Sequence, residues 1–438
     1  MSTETADALD RDVSWPLQYL QDHVVHFAVI GLFAFYPFLY DFLVDSFLLT
    51  AEMILPEPRT MLTVLVLGLF AMSFDFVSGY TGYLSFGHAA FFGIGAYFVV
   101  LAYNGQLPVI PAEMSFMTLL VLGAVVAALF ALLVGLLAFR LSGVYFAMIT
   151  LGIAEILYVL ASNWDYLTPG QADPADGTAA GSPIDIELFE PNIGVPFVDA
   201  LQVTVHPSFG DEAFLGFDFG DPVIVAYFAI GVVVLLSYFV MQRIIHSPFG
   251  HVMIAIRENE ERAKAIGYNV FYYKIGAFMI SAFFGGIAGG LLVAVEGTAS
   301  PDTTLFFLVT GFALVAAIIG GLGTLAGPLF GYVFLETVEE FLAREGGGGG
   351  LQPWLQEVVP GSVLGANLGG LTVDEALDAF MTGHGEFYAG IIFVLFVLYV
   401  PVGLLGTLRQ GLGSSSVAEH VSGLFERSGT DPAAETDD

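Results

Sequence analysis

Cysteine is missing from all 438 residues, which excludes disulfides, thiolate chemistry and cysteine-ligated metal or haem sites. Positive charge is almost as scarce. Eleven lysines and arginines face 43 aspartates and glutamates, a formal net charge of −32. That sign excludes a protein that holds nucleic acid or anionic lipid electrostatically. Only Lys264 and Lys274 are lysines, and neither closes a G-x-x-x-x-G-K-[ST] phosphate cradle, so the sequence has no Walker A loop. G-x-S-x-G and H-E-x-x-H are absent as well. No serine, histidine and acid fall at a spacing that periodicity would bring together, which argues against an intramembrane enzyme. No metal site is expected. The first 21 residues are polar and mostly acidic, without the basic flank and small-residue cleavage site of a signal peptide, so this N-terminus is expected to be retained.

What the chain has in excess is apolar surface. Hydrophobic residues make up 56% of it and charged ones 12%, with a mean hydropathy of +0.79. One soluble core could not bury so much, and the bilayer must act as part of the solvent. A hydrocarbon layer of ~30 Å takes about 20 apolar residues per helix. Stretches of that length recur near 24–46, 60–80, 84–104, 117–139, 143–162, 222–242, 272–296, 305–320, 325–341 and 387–407. The expected fold class is therefore all-α, a polytopic bundle of about ten spans. The stretch 305–341 is divided because Gly320-Gly321-Leu322-Gly323 and Pro328 place a turn signal in its middle. The acidic polar segments on both sides resemble those of a protein built for concentrated salt, where a Debye length near ~3 Å at 1 M screens self-repulsion; ordinary acidic loops are the alternative.

Ten spans with both termini cytoplasmic put Arg11, Arg140, Arg243, Arg257, Arg262, Lys264, Lys274, Arg409 and Arg427 inside and leave Arg59 and Arg344 outside. That satisfies the positive-inside rule; nine spans would strand Arg409 and Arg427 on the wrong side. The organisation is then a cytoplasmic tail (1–21), a membrane domain (22–410) and an acidic, disordered tail (411–438). Two long polar segments fall outside, 163–221 and 342–386, the second opening with the linker-like run Gly346 to Gly350.

Ser78 to Tyr97 reads SGYTGYLSFGHAAFFGIGAY, with glycines at 79, 82, 87, 93 and 95. Each interior helical glycine costs ~1 kcal/mol relative to alanine. Such density implies close helix packing or a broken helix whose freed backbone faces a cavity. Small residues also stand four apart at Gly285/Gly289, Gly286/Gly290, Gly323/Gly327 and Gly327/Gly331, the spacing that lets backbones touch, within this bundle or against a partner. Asp75, His88 and Glu155 are ionisable groups inside expected spans and should face the bundle interior or a water-filled path. With Tyr80, Tyr145 and Thr150 they are the candidates for a translocation path; structural hydrogen bonds between helices are the alternative role.

The most polar inner segment, Ser247 to Lys274, reads SPFGHVMIAIRENEERAKAIGYNVFYYK. The pattern predicts one short helix from about Val252 to Ile266, ended by Gly267, with Ile256, Ala263 and Ile266 on one side and charges on the other. From the residues alone it is either a helix for a partner's groove or a basic loop that simply obeys the positive-inside rule.

Five segments resemble, in order, the LivM-type permease of branched-chain amino-acid ABC importers: Gly79 to Tyr97, Arg140 to Ile156 (RLSGVYFAMITLGIAEI), Phe249 to Lys274, Ile318 to Gly331 (IIGGLGTLAGPLFG) and Val400 to Gly406 (VPVGLLG). The resemblance implies a multi-pass plasma-membrane subunit that binds no cofactor of its own. Its partners would be a LivH-like second permease, two cytoplasmic ATPase chains that hydrolyse ATP with Mg, and an extracytoplasmic binding protein delivering leucine, isoleucine or valine. It also implies that the inner segment is a coupling helix docked on an ATPase, with Arg257, Glu258, Asn259, Glu260, Arg262, Ala263 and Gly267 transmitting the stroke. Three features depart from the family pattern: Asp75 stands where an asparagine is expected, a short turn is stretched into Thr168-Pro169-Gly170 and Asp176-Gly177, and both outer segments are longer. A urea or short-amide permease shares these motifs. A carrier driven by an ion gradient through Asp75, His88 and Glu155 is the reading from another class, and a purely structural subunit is a third.

Overall fold

The computed structural model describes residues 24–46, 55–108, 110, 114–141, 143–164, 213–214, 217–218, 222–343, 363, 365–368, 371–373, 385–400 and 403–407. Both tails, the glycine run and the stretched turn around Thr168 and Asp176 lie outside the described residues. The elements in chain order are α1 (Val24–Ser46), α2 (Pro58–Thr81), α3 (His88–Tyr103), α4 (Phe116–Ala138), α5 (Val144–Asn163), β1 (Ala213–Phe214), β2 (Phe217–Asp218), α6 (Pro222–Ile245), α7 (Pro248–Glu258), α8 (Glu260–Ala265), α9 (Val270–Glu296), α10 (Pro301–Thr304), α11 (Phe307–Gly320), α12 (Gly327–Ala343), β3 (Asn367–Leu368), β4 (Leu371–Thr372) and α13 (Gly385–Tyr399). The two strand pairs are short antiparallel hairpins in the polar segments.

A helix lies at each of the ten expected spans, but only seven stretches among the described residues have the length and apolarity to cross a membrane. The ones that fall short do so for visible reasons. The third expected span begins at His88 rather than 84, because Gly82 ends α2 in the left-handed region at φ 78° and residues 82–87 form a linker before α3. The ninth, α12, carries Glu336, Glu339 and Glu340 in 17 residues. The first, α1, contains Pro37, and its shorter apolar helix is Phe33–Val44.

The longest helix, α9, is the spine. It packs on α2, α3 and α4, while α2 also packs on α6, α11 and α12. Its 27 residues reach about 40 Å at 1.5 Å per residue. Glycines set how close the helices come. A Cβ on Gly95 would run into the Gly286 carbonyl, and one on Gly289 into the Phe92 carbonyl, so α3 and α9 touch backbone to backbone. Gly286 also faces Ala124 and Ala127 of α4, and Gly331 of α12 meets the Ala316 carbonyl of α11. These small-residue pairs therefore serve the internal bundle. Gly323 does not belong to a helical pair at all: it sits in the α11–α12 turn at φ 81°. Aromatic rings fill the space at the glycine seams, with Phe91 and Phe278 edge to face at 5.0 Å.

Substituting Gly289 by leucine should overpack the α3–α9 contact, costing about 1–3 kcal/mol or more. Gly152, which has nothing within 4 Å of an added Cβ, should accept alanine without loss of stability. Thermal unfolding midpoints of the purified variants in one detergent check the contrast.

Candidate functional site

The polar inner segment folds as an elbow of two helices, where one was expected. Asn259 makes the break: it ends α7 in an extended conformation (φ −163°, ψ 103°), and its side chain then accepts the Arg262 amide at 2.9 Å to start α8. An asparagine able to cap the next helix offers the backbone an alternative to continuing the first. The new register buries Val252, Ile256, Ala263 and Val270 beside Tyr273 and turns Ile266 out to 68% exposure, where the single-helix pattern had placed it with Ile256 and Ala263. Gly267 ends α8 as expected: its φ is 95°, its amide bonds to the Lys264 carbonyl at 3.0 Å, and the Tyr268 amide bonds to the Ala263 carbonyl at 3.2 Å, a Schellman closure.

Two sets of polar contacts hang the elbow on the bundle. At its corner, Arg257 Nη1 donates to the Gly79 carbonyl at the end of α2, 2.6 Å away, and Nη2 donates to Glu258 at 3.1 Å. Beyond the corner, Glu260 Oε2 accepts from Tyr83 Oη at 2.6 Å and from Lys274 Nζ at 2.7 Å, while Oε1 meets Lys264 Nζ at 3.0 Å. Lys274 also donates to Tyr83 Oη and sits 4.2 Å from that ring's centre. Tyr83 in turn packs edge-on against Phe139 and Phe146. One carboxylate thus ties α8 to α9 and to the α2–α3 linker. Burial pushes the Glu260 carboxyl up, but the hydrogen bonds from Lys274, Tyr83 and Lys264 together outweigh it and hold it near 2 instead of 4.5. Arg262 and Glu258 point outward, with Glu261 at 84% exposure, so the outer face is charged but interrupted by exposed Ile266, Tyr268 and Tyr272.

Of the expected path residues, Asp75 and His88 are fully buried, yet no hydrogen bond joins them. Asp75 Oδ1 accepts the Gly323 amide at 2.8 Å, in the turn between α11 and α12; its Oδ2 has no partner among the described residues. His88 lies at the start of α3 among Phe70, Phe74, Phe91 and Phe278, with Nε2 2.9 Å from Ser281 Oγ. Because the Ser281 hydroxyl donates to the Ser73 carbonyl, the imidazole must donate from Nε2, which leaves Nδ1 an unpartnered acceptor. Thr150 bonds to the Ala147 carbonyl at 2.9 Å and lies against Gly87. Tyr145 is 69% exposed on the outer face of α5. Glu155, also on α5, is half-buried with Oε2 unpartnered. Tyr80 Oη accepts the Leu325 amide at 3.0 Å and lines a cavity of about 550 Å³ between α1, α2, α6 and α12, whose walls include Tyr227, Gln242, Ile254 and Thr324. Sequence reasoning missed Tyr83, and took Lys274 only as an inner-side charge; its being one of two lysines beside an otherwise apolar span was the available signal. Among the described residues no cluster of histidine and acids could hold a metal ion.

The described residues thus form an apolar bundle, seven of whose helical stretches could cross a membrane, with a charged elbow latched at one end. The family described as branched-chain amino acid transport system, permease component, matches residues 59–368, and the chain belongs to it. The high-affinity branched-chain amino acid transport system permease protein LivM of Salmonella typhimurium is 30% identical over 281 residues, 64% of this chain and 61% of that protein. LivM of Escherichia coli K12 aligns equally well, at 30% over 281 residues. A probable branched-chain amino acid transport permease protein LivM of Methanocaldococcus jannaschii is 31% identical over 112 residues, 25% of this chain and 32% of its own length. The chain thus spans 61% of the length of the two bacterial relatives. No solved structure matches it.

The depressed Glu260 value has a pH consequence. A carboxyl lowered on folding contributes stability that is complete above its unfolded value of 4.5 and is lost as pH falls from there through about 2. Amide-exchange protection of residues 247–274, corrected for intrinsic rate and compared with the middle of α9, should fall across that window. With Lys274→Met the carboxyl should be held less far below 4.5, so the fall across this window should be smaller.

Proposed function

We propose that this chain is one permease subunit of an ATP-driven importer for branched-chain amino acids (leucine, isoleucine and valine), forming half of the path and taking its drive from separate ATPase chains. Family membership supports the transport reading, and the observation that carries the coupling is the elbow itself. It is a two-helix element with a charged outer face, fixed to α2 by Arg257 and to α9 by Glu260. A helix free to swivel would absorb a partner's push, whereas one held at two points passes displacement on. Coupling needs such an element to meet its partner differently in two states, since equal binding to both shifts nothing.

In this reading the partners are a LivH-like second permease, two cytoplasmic ATPases that bind and hydrolyse ATP with Mg, and an extracytoplasmic substrate-binding protein. The chain itself is no enzyme. It resides in the plasma membrane with both termini and the elbow on the cytoplasmic side. Supporting a common side, three turns lie at one end of the bundle: Arg257 reaches Gly79 beside the α2–α3 linker, and Gly323 of the α11–α12 turn reaches Asp75. The exposed apolar faces of α4 and α5, including Leu133, Leu137, Val144 and Ile156, meet lipid or the second permease.

In a reconstituted complex, Ala263→Phe should wedge the elbow off its buried seat and lower ATP-driven leucine uptake roughly 5- to 150-fold, the span of ordinary coupling energies, while the amount inserted in the membrane stays constant. Unchanged uptake would remove the coupling role. Uptake of labelled leucine and urea side by side tests the substrate, and uptake driven by a proton or sodium gradient without any ATPase would replace the reading with a secondary carrier.

A further inference from the structure

The last two turns of α2 hold two separate things. On one side the Gly79 carbonyl receives Arg257 of the elbow. On the other, Asp75 Oδ1 accepts the Gly323 amide and Tyr80 Oη accepts the Leu325 amide, so three consecutive residues of the α11–α12 turn are fixed through its first and third to α2. These two bonds span 248 and 245 positions of sequence.

The turn they hold is built to need holding. Gly321 and Gly323 adopt φ values of 114° and 81°, and only glycine takes such conformations freely. Gly323, Thr324, Leu325 and Ala326 form part of the wall of the 550 Å³ cavity. Space for the latch is reserved by a glycine: a Cβ at Gly79 would stand 2.6 Å from the Gly323 nitrogen and against the Asp75 carboxylate. Arg257 reaches the same place, since a Cβ on Gly323 would lie 3.1 Å from Nη1. Elbow, α2 terminus and turn therefore meet within a few ångströms of one another.

We propose that Asp75 is a positioning residue for transport: it pins the glycine turn 321–326 to the end of α2 that also holds Arg257, so that displacement of the elbow moves the turn and with it the inner wall of the cavity. This rests on the permease reading above and extends it from the docking surface to a moving part inside the bundle. The role requires a hydrogen-bond acceptor at Asp75, not its charge. Asparagine should serve and leucine should not.

The test uses the whole complex in proteoliposomes, with one label. Because the chain has no cysteine, Thr324→Cys supplies a single thiol on the turn. In the otherwise natural chain its labelling rate by a water-soluble maleimide should differ between the nucleotide-free and the ATP-vanadate states. Asp75→Asn should keep that difference and stay within about twofold of natural uptake, whereas Asp75→Leu should abolish it and lower maximal uptake by roughly tenfold or more with the KM for leucine unchanged. Should Asp75→Leu fail to assemble, Tyr80→Phe, which removes the neighbouring bond to the same turn, should reduce the labelling difference in its place. Equal labelling in both states of the natural chain overturns the proposal, as does a difference that survives in Asp75→Leu or, where that variant fails to assemble, one that is undiminished in Tyr80→Phe. A complex that moves no leucine with ATP even in the natural chain contradicts the permease reading instead, so the two failures are told apart.

Discussion

A charge beside an apolar bundle has to be matched from within the chain, and the Glu260–Lys274 pair is where this protein meets that demand most fully. Lys274 is only 5% exposed and Glu260 28%, at 2.7 Å. A half-sheltered pair of this kind adds little net stability on its own, because desolvation cancels much of the attraction. Breaking it is different, since the partner left behind stays buried without compensation. Tyr83 strengthens the arrangement by bonding the carboxylate while presenting its ring face to the ammonium. The elbow is consequently held in one place by a cluster that cannot be loosened at one member without penalty to the others.

That cluster works because the bundle beneath it is stiff. Backbone contact at Gly95–Gly286 and Phe92–Gly289 locks α3 to α9, and aromatic rings close the remaining volume. Lys274 sits in the second turn of α9, so the glutamate of the elbow is anchored to one of the two central helices. Arg257 adds the second anchor on α2, the other central helix. Two anchors on two core helices hold the surface hairpin at two points.

Much of this was legible in sequence, and the illegible part has a common cause. Runs of apolar residues located the helices well, since a span is set by local composition. The elbow was visible as the one long polar inner segment, and Gly267 as its stop. Its division at Asn259 was not, because a capping asparagine in mid-pattern competes with the helix only when tertiary burial rewards the second register, as it does for Ile256 and Ala263. The partners of Asp75 and His88 were out of reach for the same reason at longer range. Hydropathy says that a buried carboxylate needs a donor, but nothing in the pattern says that the donor is the Gly323 amide 248 positions away. Asp75, His88 and Glu155 lie in separate surroundings: a turn, a nest of phenylalanines and the outer helix α5.

The most direct test of this account is a double-mutant cycle on the elbow anchor. Binding-protein-stimulated ATP hydrolysis would be measured for the natural complex, Glu260→Gln, Lys274→Met and the pair together. If the two side chains act as one anchor, the double variant should be no more impaired than the worse single one, a coupling of roughly 0.5–3 kcal/mol. Losses that simply add would show that Glu260 and Lys274 act independently and that the elbow is held by something else.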